Sequence, residues 1–171
     1  MRLSDGPTTL RRLSPDDLHA FLAYRRDPNI ARYQSWAPMT TNQAAGFLAS
    51  AANVDPLLQR GSWTQIGVEA GHQLIGDMGL FLSQDGREAE MGITLEAKSQ
   101  GQGHAERAAR LAISYLFSET EIERIVVGAD TRNAPSLALI HRLPFVQTGT
   151  VEADGVEEIE FVLHRSEFLA S

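Results

Sequence analysis

Residues 95–105 read Leu95-Glu96-Ala97-Lys98-Ser99-Gln100-Gly101-Gln102-Gly103-His104-Ala105, with two glycines directly before a stretch of helical periodicity. The first N–H groups of a helix lack partners within it, and the aligned peptide dipoles make that end positive. Glycine accepts positive φ and carries no Cβ, so the main chain of Gln100, Gly101, Gln102, Gly103, His104 and Ala105 can aim successive N–H groups at a diphosphate. The same pair of glycines also suits a plain tight connection from strand to helix. A dinucleotide-binding turn would place a third glycine where Glu106 stands and would follow its strand at once, whereas residues 96–100 intervene here. The lysine and hydroxyl residue of a GxxxxGK[ST] phosphate loop are missing.

The elements that must hold this turn can be read from periodicity. Residues 8–12 form a short strand. Ser14-Pro15-Asp16-Asp17 opens a helix with Leu18, Phe21 and Leu22 on one side, and Asp27-Pro28 ends it. A second helix covers 41–52, and Pro56 and Gly61 break the chain before strands at 63–69, 72–82 and 88–95. The pattern then switches to a helix at 104–117, a strand at 124–130 and a helix at 135–143. Strands at 145–150 and 156–164 follow, joined by Asp154-Gly155. In the 104–117 helix, Ala105, Ala108, Ala109 and Ala112 give a small-residue face, and Glu106 stands four residues before Arg110. The expected architecture is a mixed α/β fold of the α+β kind. Its order is β-α-α-β-β-β-α-β-α-β-β, with one right-handed crossover between 88–95 and 124–130.

Composition narrows the function. At 171 residues with 43% apolar and 22% charged residues, the chain suits one domain spanning 1–171 with a substantial core. A net charge of −7, with the basic residues scattered, opposes a phosphate backbone, so no nucleic-acid partner is expected. The absence of cysteine excludes disulfides and a thiol nucleophile. No group of histidines and carboxylates has metal-ligand spacing, so no metal is expected. Neither a membrane span nor the apolar core of a signal peptide is visible, which leads to the expectation of a soluble cytoplasmic protein.

Residues 95–109 resemble the cofactor motif of GNAT acetyltransferases, Q/R-x-x-G-x-G/A. Asn133-Ala134-Pro135-Ser136 through Phe145 resembles their second motif, N-x-x-S followed by a helix and L-G-F. Leu10-Arg11-Arg12-Leu13 and 26–33 look like the branch related to ribosomal-protein N-terminal acetyltransferases. The resemblance covers nearly the whole chain, with Lys98 in place of Gln or Arg and Pro144 in place of the glycine before Phe145. It implies a mostly antiparallel central sheet of about seven strands with helices on both faces. It also implies acetyl-CoA as co-substrate, and a monomer or homodimer.

The resemblance further implies direct transfer of the acetyl group to a primary amine, either on a small molecule or at a protein N-terminus. Main-chain groups of Ile93, Thr94 and Leu95 would pair with the pantetheine arm as with an added strand, while strand 124–130 splays away. Asn133 would bond the cofactor or merely cap its helix, and Ser136 is similarly ambiguous. Strand alternation puts Glu88 and Glu90 on one face, which makes Glu90 the first candidate for general base and Asp77 the second; either could be a structural carboxylate. The acceptor pocket would be lined by Tyr33, Gln34, Ser35 and Trp36, unless these roof the core, and by the last hairpin. That hairpin carries Glu152, Asp154, Glu157, Glu158 and Glu160, a charge that attracts a cationic amine or simply solvates a face. His104 and His141 are expected on helix surfaces. Ile140 occupies the position where many relatives carry a tyrosine acid. That absence keeps open a non-catalytic acyl-CoA sensor or assembly module, and a dinucleotide-dependent oxidoreductase is the third reading.

Overall fold

The computed structural model describes every residue except Ser35, Pro56, Asp154 and Ser171. Pro56, Ser35 and Asp154 of the sequence reading therefore lie outside the described residues. Eight strands form one sheet: β1 (Arg2–Asp5), β2 (Thr8–Arg12), β3 (Ser62–Ala70), β4 (Gln73–Leu82), β5 (Glu88–Leu95), β6 (Arg124–Asp130), β7 (Val146–Ala153) and β8 (Val156–His164). Their spatial order is β1-β2-β3-β4-β5-β6-β8-β7. Every neighbouring pair is antiparallel except β5 and β6. The helices are α1 (Leu18–Arg25), α2 (Pro28–Ala31), α3 (Thr41–Asn53), α4 (His104–Glu119), α5 (Ala134–Ile140) and α6 (Arg165–Leu169).

The expected count of about seven strands omits β1. Four mostly polar residues, paired to β2 through a turn with Gly6 at φ +53°, offer almost no apolar alternation to read. The short helix α2 also departs from the expected loop. Pro28 sits in its first turn, and the Asp27 carboxylate accepts from the Asn29 N–H at 2.9 Å, so the residues that end α1 also start α2. Helix α5 stops at Ile140 rather than 143: His141 stays in the right-handed helical region, but Arg142 and Leu143 donate three residues back, to Leu139 and Ile140, in tighter turns that run up to Pro144.

The two faces of the sheet are covered by different helices. Under α4 lies the larger apolar cluster, in which Ala108, Ala109 and Ala112 let the helix approach Ile66, Met78, Leu80, Ile125 and Phe161 closely. On the other face α1 and α3 pack Phe21, Leu22, Ala44 and Leu48 over Leu74. The outward side of α4 carries the Glu106–Arg110 pair at 3.0 Å.

One contact fixes the end of β5 against β4. A Cβ placed on Gly76 would lie 2.0 Å from the Thr94 carbonyl oxygen and 2.9 Å from Leu95 Cα, so only glycine admits this approach. Replacing Gly76 with alanine should force β4 and β5 apart and cost about 1–3 kcal/mol, read as a lower denaturant midpoint at unchanged slope.

Candidate functional site

Strands β5 and β6 pair over only three positions, Glu88↔Arg124, Ala89↔Ile125 and Glu90↔Val126. Beyond Glu90, β5 continues to Leu95 with β4 as its only strand partner, and β6 continues to Asp130 paired to β8 alone. The two parallel strands thus open into a V with Glu90 and Val126 at its vertex. Main-chain donors and acceptors facing into the V have no ladder partners among the described residues, and such groups pair with water or with a ligand.

A cleft of about 650 Å³ occupies the V and reaches both faces of the sheet. Ile93, Thr94 and Leu95 form its β5 wall, and Gln100, Gly101, Gly103 and Ala105 form the turn at its wide end. Asn133, Pro135, Ser136, Leu139 and Arg142 line the α5 side, while Asn29, Ile30, Tyr33 and Gln34 cross over it from α2. Nine of the eleven expected cofactor residues therefore converge on one space. The other two, Gln102 and His104, do not line it. Gln102 folds back to donate to the Lys98 carbonyl at 2.8 Å. His104 is buried, with Nδ1 2.8 Å from Thr8 Oγ1, which corrects the expectation of a surface histidine. His141 is exposed, as expected.

The turn has the geometry of an anion cradle. Gly101 and Gly103 take φ of +73° and +81°, Gly103 stands at the N-cap of α4, and no side chain caps that helix. Nothing within 4 Å crowds a Cβ on Gly101. The Gln100 side chain closes the turn by donating to the Leu95 carbonyl at 3.0 Å. Asn133 caps α5, its Oδ1 accepting from Ser136 N–H at 3.2 Å, so both residues are fixed at the cleft by the helix they start. Arg142 is an exposed cation at the α5 edge, sharing Glu106 with Arg110. The sequence reading missed Arg142, because only the end of α5 brings it to the cleft. Ile140 is buried in the core, 6% exposed, and presents no proton donor.

On the opposite side of the sheet, Trp63, Phe81 and Glu90 are aligned across β3, β4 and β5. Partial burial raises the Glu90 pKa, and the neighbouring charges of Glu88, Glu158 and Glu160 raise it further. Glu160 is held by Thr148, whose hydroxyl donates at 2.9 Å. The Glu158 carboxylate lies over Gly128, at 2.5 Å from where a Cβ would be. Asp77 is 1% exposed and already accepts from Arg25 Nη2 at 2.9 Å, from Gln65 Nε2 at 2.8 Å and from the Tyr24 hydroxyl. Asp77 itself does not line the cleft, although Thr94, opposite it in the β4–β5 ladder, does. Tyr33 lines the cleft, whereas Trp36 lies behind it, stacked on Arg25.

The acetyltransferase (GNAT) domain family model matches residues 8–146. The chain belongs to the GNAT acetyltransferase family. An uncharacterized N-acetyltransferase, p20, from Bacillus licheniformis is 28% identical over 142 residues, covering 82% of this chain and 80% of that protein. A GNAT-family acetyltransferase from Bacillus anthracis superposes with a TM-score of 0.84 at 17% identity, covering 98% of this chain and all of its own (100%). The ribosomal L7/L12 α-N-protein acetyltransferase RimL, solved with coenzyme A, gives 0.83 at 13% identity, covering 98% and 99%. These two likenesses are of fold. The opened V and the uncapped glycine turn are this acetyltransferase's own features, and they can be tested directly. Gly101→Ala and Gly103→Ala impose about 1–2 kcal/mol of left-handed strain on the turn; if coenzyme A rests on it, each should weaken coenzyme A binding about tenfold in calorimetry.

Proposed function

We propose that this protein acetylates a primary amine by direct attack on acetyl-CoA bound in the V. The observation that carries the reading is the parting of β5 and β6 beyond Glu90, which leaves 93–95 as an open strand edge leading straight to the glycine turn. An amide-bearing arm can add to that edge as a short strand, and its diphosphate can rest on the N–H groups that begin α4. Arg142 supplies a cation at the same end, able to leave Glu106 to Arg110 and take up a phosphate.

Acetyl-CoA supplies the activated acyl group. The chain's own residues hold the two reactants together and manage one proton. Glu90, at the vertex, removes the proton that the amine loses as its nitrogen bonds the carbonyl carbon; the carbon–sulfur bond breaks, and the thiolate leaves to be protonated by solvent, since Ile140 offers no acid. A carboxyl whose pKa is raised above the ordinary glutamate value is better matched to that transfer. Asp77 takes no part in this scheme, its oxygens being committed to Arg25, Tyr24 and Gln65.

The acceptor side is acidic. Glu88, Glu90, Glu158 and Glu160 face one another closely enough to raise the Glu90 pKa, and we infer that the acceptor carries positive charge. Tyr33 is proposed as part of its wall. A small cationic amine and a protein N-terminus both satisfy this chemistry. The buried Ile140 favours one rival, a sensor that binds acyl-CoA without turnover. Thiol release with a panel of an alanyl peptide, lysine, spermidine and an aminoglycoside separates the two, because a sensor releases none.

Glu90→Gln should lower kcat about 100-fold or more while leaving coenzyme A affinity intact. In the active enzyme the base must be ionised, so activity should fall as pH drops through a value above the usual glutamate range. Removing negative neighbours in Glu158→Gln/Glu160→Gln should shift that limb to lower pH, and the pair should raise KM for a cationic amine. An acid limb that stays put would count against Glu90 as base.

A further inference from the structure

The buried group that the transfer scheme leaves unused is the Arg25–Asp77 pair, and its surroundings give it a purpose. Arg25 donates to Asp77 from Nη2 at 2.9 and 3.1 Å and from Nε at 3.3 Å. One face of its guanidinium packs on Phe21, 4.7 Å from the ring centroid, and Trp36 stacks on it at 3.9 Å. Among the described residues the buried Trp36 Nε1 has no hydrogen-bond partner, so the ring face, not its N–H, is what attaches this indole. Asp77 in turn stands opposite Thr94, a wall residue of the cleft, in the β4–β5 ladder.

Trp36 stands two residues after Gln34 in the chain. Asn29, Ile30, Tyr33 and Gln34 line the opening, and the Tyr33 hydroxyl donates to the Arg132 carbonyl at 3.2 Å on the far bank, beside Asn133. These residues are held on the β6–α5 side by one exposed hydrogen bond, by Ile30 against the apolar cluster of α1 and α3, and through Trp36 by a buried, planar cation that is itself fixed by a carboxylate. Of the polar attachments the cation is the rigid one, because a bidentate guanidinium has little freedom left to lose.

We propose that Arg25 is a positioning residue for the acceptor: through Trp36 it holds the strap of residues 29–34 at the distance from β5 that an amine needs to reach the acyl group. The proposal rests on the acetyltransferase reading of the cleft and adds to it the residue that sets its acceptor wall. None of the hydrogen bonds that close the glycine turn or cap α5 involves Arg25.

Lysine at position 25 keeps the charge beside Asp77 and loses the flat face under Trp36. Arg25→Lys should raise KM for the best amine of the four-member panel about tenfold, with kcat and the coenzyme A dissociation constant little changed. Trp36→Leu, which leaves the ion pair whole, should give the same defect, and Trp36→Phe should largely restore it. A second arm needs no turnover: in a Trp63→Phe chain, Trp36 is the sole tryptophan, and adding Arg25→Lys should steepen acrylamide quenching of its fluorescence. Quenching unaltered by Arg25→Lys, Trp36→Leu kinetics like those of the wild type, or a loss of coenzyme A affinity as large as the rise in KM would each overturn the proposal. Failure of every amine with the unaltered protein would instead refute the transferase reading, and the quenching arm would still decide whether Arg25 holds the strap.

Discussion

Backbone groups at a strand edge must find partners, and in this protein the edge between Met91 and Leu95 finds none in the sheet. A β-strand within a sheet ordinarily pairs on both sides, and an unpaired run invites whatever can complete it. Here the run is sheltered in a cleft rather than exposed at the rim of the sheet, and the proposed occupant is a slim amide-bearing chain. The rest of the fold maintains that opening. The β4–β5 ladder holds one bank through the close approach at Gly76, the β6–β8 ladder holds the other, and α4 and α5 frame the wide end.

In the proposed reading, glycine rather than a charged side chain marks the end where a diphosphate would rest. With α4 uncapped and Gly103 in the left-handed region, the positive end of a 16-residue helix points into the cleft without a competing partner. Charge is then distributed by function: an electropositive helix end and Arg142 at the wide end, and carboxylates at the vertex and on β8. That separation is what the proposed transfer calls for, an anionic donor at one region and a cationic acceptor at the other.

Much of this was legible in the sequence. Strands β5, β6 and β8 have the bounds that alternation indicates, and the glycine turn and the Asn133 cap are local patterns that need no tertiary information. What could not be read depends on residues far apart in the chain. The Arg25–Asp77 bond spans 52 positions and the His104–Thr8 contact 96, so neither Asp77's commitment to α1 nor the burial of His104 has a local signature. Strand β1 was lost because four polar residues carry no period. Arg142 joins the cleft only because α5 ends where it does. The parting of β5 from β6 likewise has no sequence mark of its own; it was anticipated from family resemblance and is visible only when the registers of both ladders are known.

Amide hydrogen exchange with and without coenzyme A tests the central claim most directly, because it reads the unpaired main-chain groups themselves. Coenzyme A should slow exchange chiefly at residues 93–95 and 101–106, the open edge and the start of α4. Binding that left those amides exchanging at their free rates, while protecting another part of the sheet, would contradict it.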